Sequence, residues 1–418
     1  MQGTPQAAAE LAPVQRATWG LSGDGGSGAV GGFSSLGWAV EQVGQQIFAG
    51  GKFLEVTNGQ QTVSQARLAA FDAGSGDFLS SFRPEISRPV LALEASNDGG
   101  LFVAGEVGTY NGTSVGSLVK VDPQTGDIWP GWQTTISNGG AGANIVRDVS
   151  LELDGWLYAV GSFRQVSDQN GTVAVSNAIR MDPETGIVDR SWTPEISGGS
   201  VWGVSASRTT SSVYLAGWKL TVNGATNSVV GVNASDGNTN TWTGFQLNFR
   251  CCDNMYDVEA TEFGTVLIVG EQHYAVMYDE TDMSILYSHV TSFDSRFQDS
   301  DVRRGGDYQE IERVGNSLYA TCHCWGSHSS VAGGIAAYGR DLATVEATPT
   351  GSVSGLVAYN AQTGIRDQSI NPYMAGDIGG FGLLEDSQGC IWIAGGINAV
   401  GPIGNQRPGR DLVRLCDG

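Results

Sequence analysis

The segment "TCHCWGSHSS", Thr321 to Ser330, holds two of the chain's six cysteines and two of its four histidines. Thiols and imidazoles serve as nucleophiles, redox groups and ligands for borderline-soft metals. Cys322, Cys324, His323 and His328 are therefore candidates for a zinc or copper site, although C-x-C-x-x-x-H is not a standard zinc spacing. The same cysteines are candidates for disulfides that stiffen a loop. Cys251 and Cys252 precede "DNMYDVEA", and His273 follows "VLIVGEQ". Whether these groups meet depends on the elements that carry them.

The chain has 418 residues, 61 of them glycine, and only 16% are charged. Many glycines and β-branched residues with few charges point to short strands and tight turns. No run reads as a long amphipathic helix or as an apolar membrane span, so membrane insertion is not expected. Asp and Glu number 43 against 22 Lys and Arg, a net charge of −21. That charge disfavours nucleic acid and anionic membrane surfaces. The N-terminal "MQGTPQAAAELAPVQRATWG" lacks the basic and apolar regions of a signal peptide and reads as the start of a mature exported chain. An even cysteine count fits an oxidising compartment, so the expected location is secreted or cell-surface.

An apolar strand ending in small residues recurs as "IFAGG" from Ile47, "LFVAG" from Leu101, "LYAVG" from Leu157 and "VYLAG" from Val213. It continues as "VLIVG" from Val266, "LYATC" from Leu318 and "IWIAG" from Ile391. A period near fifty residues with internal strands is the signature of a propeller or solenoid. Each unit places an alternating strand before this one, such as "PVLALEAS", "VRDVSLEL" or "VWGVSAS". A third strand follows and runs into a turn such as "VDPQTG" or "MDPETG". The Asx side chain caps that turn and Gly takes the positive φ. A fourth strand with an aromatic follows, as in "RSWTPEIS". The fold expected is an all-β, seven-bladed β-propeller of four-stranded blades spanning 17–418, after an N-terminal extension over 1–16. The last unit lacks a fourth strand, and "RATWGLSG" around Trp19 resembles the missing one, so the N-terminal strand is expected to close the last blade.

The "FAGGKF", "YAVGSF" and "VNG" elements and the "D-x-x-T-G…W/F-x-P" tail resemble the delta-sixty repeat family of bacterial β-propellers, along nearly the whole chain. The resemblance implies the fold and says little about function. Unit five departs from it, since "MYDETDMSI" lacks the turn Gly, and unit six carries a long insertion.

Alignment of the second strands puts Cys322 where other units have Gly51, Gly105, Gly161, Gly217, Gly270 and Gly395. Cys322 then ends a second strand on the face where first strands begin, here the top face. His323, Cys324, Trp325 and His328 are expected in the loop above it, with Cys251, Cys252 and His273 on the same face. Disulfides of some pairing are expected there, either Cys251–Cys252 with Cys322–Cys324 or two links between blades. The metal candidates are His273, His323 and His328. Cys390 precedes the second strand of unit seven and Cys416 ends its third, so a Cys390–Cys416 disulfide is expected.

A stiffened loop would present Trp325 as an aromatic platform, with Asp253, Tyr256, Tyr308, His323 and His328 supplying polar contacts. Trp129, Trp132, Trp192 and Trp242 fall in fourth strands and are expected to pack between blades. The expected function is a ligand-binding module for carbohydrate or another extracellular or cell-envelope polymer. Two other classes stay open. One is an enzyme, either metal-dependent or similar to quinoprotein dehydrogenases, whose tryptophan-docking motif the Asp122–Gly126 and Asp182–Gly186 turns resemble. The other is a structural or adhesive subunit contacting other surface proteins. Neither a catalytic residue nor a resident cofactor is assigned.

Overall fold

The computed structural model describes residues 14–15, 18–26, 35–140, 144–222, 224–240, 254–270, 274–291, 308–332, 348–370, 372, 374–401 and 406–416. At 14–15, 274, 290–291, 323–332, 348–354 and 376–378 it describes the backbone alone. The described residues are all-β, with antiparallel sheets predominating and no helix. No helix is long and apolar enough to cross a membrane.

The strands fall into seven antiparallel units in chain order. Their first strands are Gly37–Val43, Val90–Ala95, Ile145–Leu151, Ser200–Ala206, Met255–Ala260, Tyr308–Val314 and Met374–Glu385. Each pairs with the repeated apolar strand that follows it, which pairs in turn with a third. The second strands are buried on both faces, as in Leu157–Ser162, where Leu157, Tyr158, Ala159 and Val160 are fully covered. Consecutive units pack through such residues, and each first strand lies against the next. The first strand of unit seven lies against that of unit one.

The repeated Gly has a steric cause. A Cβ on Gly51 would be driven into the carbonyl oxygen of Leu36, and one on Gly161 into that of Ile145. Unit six alone among the seven carries a side chain here, Cys322, whose backbone pairs with Tyr308.

The turn motif folds as its composition requires. Asp122 Oδ1 accepts from Gln124 N–H at 2.7 Å, and Gly126 N–H donates to Asp122 O at 2.8 Å, with Gly126 at φ +74°. In unit five the same turn puts Met283 at φ +62°. Left-handed backbone costs a side-chain-bearing residue about 1–2 kcal/mol. Met283→Gly is therefore expected to raise stability by about 1 kcal/mol in urea denaturation. A loss of stability would mean that Met283 makes packing worth more than that strain.

Three expectations are corrected. In units one, three and four the fourth strand is reduced to single bridges, such as Met181 with Val188, and in unit two to the Val121–Ile128 bridge and a three-residue strand, Thr135–Ser137, that pairs mainly with unit three. The tails there carry Pro84, Pro130 and Pro194, which lack an N–H for a ladder. Two of their tryptophans still pack between units: Trp192 is buried against Tyr158, and Trp132 packs half-buried against Phe102. Trp242 lies outside the described residues.

The outer edge of the last sheet is completed by Val14–Gln15, paired with Leu415–Cys416, inside the stretch expected to be an extension. Trp19 instead packs on Phe78 of unit one, with ring centroids 5.6 Å apart. Gly20–Asp24 pairs with Phe53–Thr57, which buries Leu21 beside Phe53 and Val56.

Lastly, Cys322 to His328 is not a loop. Ser317–Ala332 is one long strand, paired with Thr348–Asn360 on one side and with Ile285–Thr291 of unit five on the other. The insertion of unit six supplies the extra partner, so the backbone continues as a ladder and joins the two units' sheets.

Candidate functional site

Each of the seven first strands carries one extra residue against its second strand, always at the same register. Gly37 pairs with Gly51 and Ala39 with Gly50, leaving Trp38 as the extra residue. The same break isolates Leu91, Arg147, Trp202, Tyr256, Gln309 and Phe381. A bulge re-aims a side chain that the ladder would otherwise fix. Here all seven converge on the end of the molecule where the first strands begin, and these residues with Glu310 line one cavity. They arrive in two aromatic pairs. Trp38 stacks on Phe381 at 4.2 Å, and Trp202 meets Tyr256 at 4.9 Å. The Arg147 guanidinium lies 4.0 Å from the Trp202 ring, and its Nε–H donates to Ser200 Oγ at 3.1 Å. Burial pulls Arg147 down to about 10.

Below the mouth the cavity continues between the first strands, with a volume of about 160 Å³, and is lined by carboxylates. The innermost edge of each first strand has N–H groups with no further strand to receive them. Carboxylates of the preceding unit do so. Glu94 accepts from Leu151 N–H at 3.1 Å, Asp148 from Val204 at 3.0 Å, Asp257 from Ile311 at 2.8 Å and Glu152 from Ala206 at 2.7 Å. Ser205 does the same for Ala260 at 3.1 Å. These acids thus have a structural task. Glu310 and Glu312 accept no hydrogen bond from the described residues and face the same cavity.

Crowding so many acids into one cavity resists their ionisation. Burial raises Glu41 to about 7, Asp148 to about 6 and Glu259 to about 7. Burial and then repulsion by Glu259 raise Glu152 to about 8. Glu94, Asp257, Glu310 and Glu312 are pushed well above the carboxylate range, by burial first and by neighbouring carboxylates second.

Of the residues expected to form a site, Tyr256 lines the mouth of the cavity. Tyr308 does not: it is fully buried, and its hydroxyl lies 2.8 Å from that of Tyr359, because it opens the first strand with its ring turned between units. Asp253, Cys251, Cys252 and His273 lie outside the described residues. For His323, Cys324, Trp325 and His328 the backbone is described, and it is strand. Cys322 is buried and disulfide-bonded, which removes it as a thiolate ligand. The Cys390–Cys416 disulfide is present, with a Cα–Cα distance of 4.4 Å. Among the described residues no cluster of three or more His, Cys, Asp or Glu is placed to hold a metal. His289 is a core residue, stacked 4.0 Å from Tyr359 and driven down to about 3 by burial.

Sequence reasoning missed Trp38, Leu91, Arg147, Trp202, Gln309 and Phe381. The signal was present in the first strands once aligned on the repeat Gly: "WAVE", "LALE", "RDVS", "WGVS", "YDVE", "QEIE" and "FGLL" occupy equivalent positions.

No model of a known protein family matches the chain, and no curated protein sequence matches it. Among solved structures, the chain is similar to the extracellular domain of a hybrid two component system from B. thetaiotaomicron. The TM-score is 0.51 at 11% identity, covering 96% of this chain and 41% of that one. The computationally designed Ika8 protein gives a TM-score of 0.48 at 10% identity, covering 92% of this chain and 97% of that one. At such identity the first likeness bears on fold alone, and this chain spans less than half of that neighbour's length.

Proposed function

We propose that the chain is a seven-bladed β-propeller working as an extracellular binding module, with its ligand taken at the mouth of the central cavity. The observation that carries this is the seven-fold recurrence of one extra residue at one register, all opening onto one cavity. The adjacency of the first strands, including that of unit seven with unit one, supports the ring. A disulfide suits an oxidising location, and the structural neighbour is itself described as an extracellular domain.

Carbohydrate, or another extracellular polymer, is the ligand class that suits the mouth. Sugar rings offer apolar C–H faces to the exposed parts of Trp202 and Tyr256. Their hydroxyls can exchange hydrogen bonds with Arg147, Gln309 and Glu310. The experiment is an oligosaccharide array followed by calorimetry on wild type, Trp202→Ala and Tyr256→Ala. Each substitution is expected to weaken binding roughly tenfold or more, since an aromatic face is worth about 1.5 kcal/mol. Variants that bind as wild type would place the ligand elsewhere and end this reading.

A further inference from the structure

The cavity mouth carries two ionisable groups, Arg147 and Glu310, beside its aromatic rings. Arg147 is the one cation among its lining residues, and its guanidinium already covers the Trp202 face. Against it stand Glu310 at the mouth and Asp148 and Asp257 in the cavity just below. Asp148 and Asp257 are committed to the N–H groups of Val204 and Ile311. Glu310 has no such donor among the described residues. The Trp202 indole N–H is buried at the same place with no acceptor among them. A group entering here meets four aromatic rings and one carboxyl that no hydrogen-bond donor of the described residues serves, among acids that burial crowds together.

Resting on the reading of this mouth as a ligand site, we infer that the bound unit carries a protonated amine, held between the two aromatic pairs and paired with Glu310. Aromatic faces attract cations through the ring quadrupole, and most strongly where water is excluded. The ammonium supplies the donors that Glu310 lacks, and a neighbouring hydroxyl of the same ligand can accept from Trp202 Nε1–H. Burial and repulsion from Asp257, Asp148 and Glu312 hold the Glu310 carboxyl well above its usual range. An ammonium there takes the place of the proton Glu310 otherwise holds, which passes to solvent, and it offsets that repulsion, so the site favours a positive occupant over a neutral one of equal shape. An amino sugar with a free amine joins the requirement for a ring face to the requirement for charge.

The test separates this inference from the reading beneath it. Cyclohexylammonium and cyclohexanol share a ring and differ in charge. Binding at pH 7.5 is followed by indole N–H shifts in NMR spectra, with wild type and Glu310→Gln. Cyclohexylammonium is expected to bind roughly tenfold tighter than cyclohexanol, and Glu310→Gln to remove that preference while the fold is kept by circular dichroism. In parallel, oligomers of glucosamine, N-acetylglucosamine and a uronic acid are compared by calorimetry, with the glucosamine oligomer expected to bind tightest. Equal binding of the two cyclohexyl probes, absence of both, or a preference that survives in Glu310→Gln would overturn the inference. Tighter binding of the uronic acid oligomer would also overturn it, making Arg147 the selecting group. Equal binding of all oligomers leaves the binding-module reading standing and removes only the amine. Ammonium binding without any oligosaccharide binding removes the carbohydrate and keeps the amine.

Discussion

Replacing Arg414 with methionine is expected to destabilise the protein by about 3–5 kcal/mol, the usual cost of leaving one partner of a buried ion pair alone. Arg414 and Asp386 are both buried, with side-chain exposures of 4% and 0%. Arg414 Nε–H and Nη2–H both reach Asp386 Oδ2, at 3.0 and 2.9 Å. The Trp392 indole N–H donates to the same oxygen at 2.8 Å, and the N–H groups of Gln388 and Cys390 serve Oδ1 at 2.8 and 3.0 Å. Two more bonds leave the pair, from Arg414 to Gln388 Oε1 and to Gly74 O, both at 2.9 Å. Gly74 belongs to the turn of unit one, so this one guanidinium ties the last unit to the first. Methionine fills a similar volume, so the loss is mainly electrostatic. Urea denaturation measures it. The double variant Arg414→Met with Asp386→Asn should recover part of the loss, because no buried charge is then stranded. A cost below about 1 kcal/mol for the single change would show that Asp386 reaches water by some other route, and the account would be wrong.

The second large effect is on pH. Glu41, Glu94, Asp148, Glu152, Asp257, Glu259, Glu310 and Glu312 all bind protons more tightly in the folded chain than unfolded. A carboxyl raised in this way contributes stability fully below its unfolded value, near 4.5, and loses it as pH rises through the folded value. The folded values run from about 6 for Asp148 to about 8 for Glu152, so the loss falls between pH 5 and 8. Each proton held only by the folded state gives a slope of about 1.4 kcal/mol per pH unit. The basic groups around these acids, Arg147, Arg208 and Arg313, soften the repulsion without matching it in number.

An opposing set sits on the outside. Asp168 is held down to about 2 by Arg190, and Asp24, Asp98 and Asp189 are also lowered. Their stabilisation disappears as pH falls through those low values. The stability maximum is therefore expected near pH 5, with a fall of several kcal/mol by pH 8. Glu312→Gln should be more stable than wild type at pH 8 and should flatten the slope by up to about 1.4 kcal/mol per unit. Urea curves at half-unit steps read both. Wild type as stable at pH 8 as at pH 5 would mean that the cavity acids are solvated well enough to ionise freely.

What the sequence alone could determine was local and repetitive. Seven copies of an apolar strand, six of them ending in Gly, and five turns with Asx four residues before Gly, place the strands without any long-range information. Hairpin register then follows, and with it the Cys390–Cys416 disulfide, since those residues sit on facing positions of neighbouring strands. The repeat also marked unit six as the place where Gly gives way to Cys322, and unit five as the turn without its Gly.

The site was decided elsewhere. A bulge adds one residue and breaks the period of two, so alternation along "NMYDVEA" cannot say that Tyr256 turns toward the cavity while Tyr308, one pairing position earlier in unit six, turns into the core. The pairing of Cys322–His328 as strand depended on a partner supplied by a distant insertion and by unit five. The acids of the first strands looked like the solvent side of ordinary half-buried strands. Only when seven such strands stand side by side do their carboxylates share one cavity, where the next strand's N–H groups need them and their mutual repulsion raises their proton affinity.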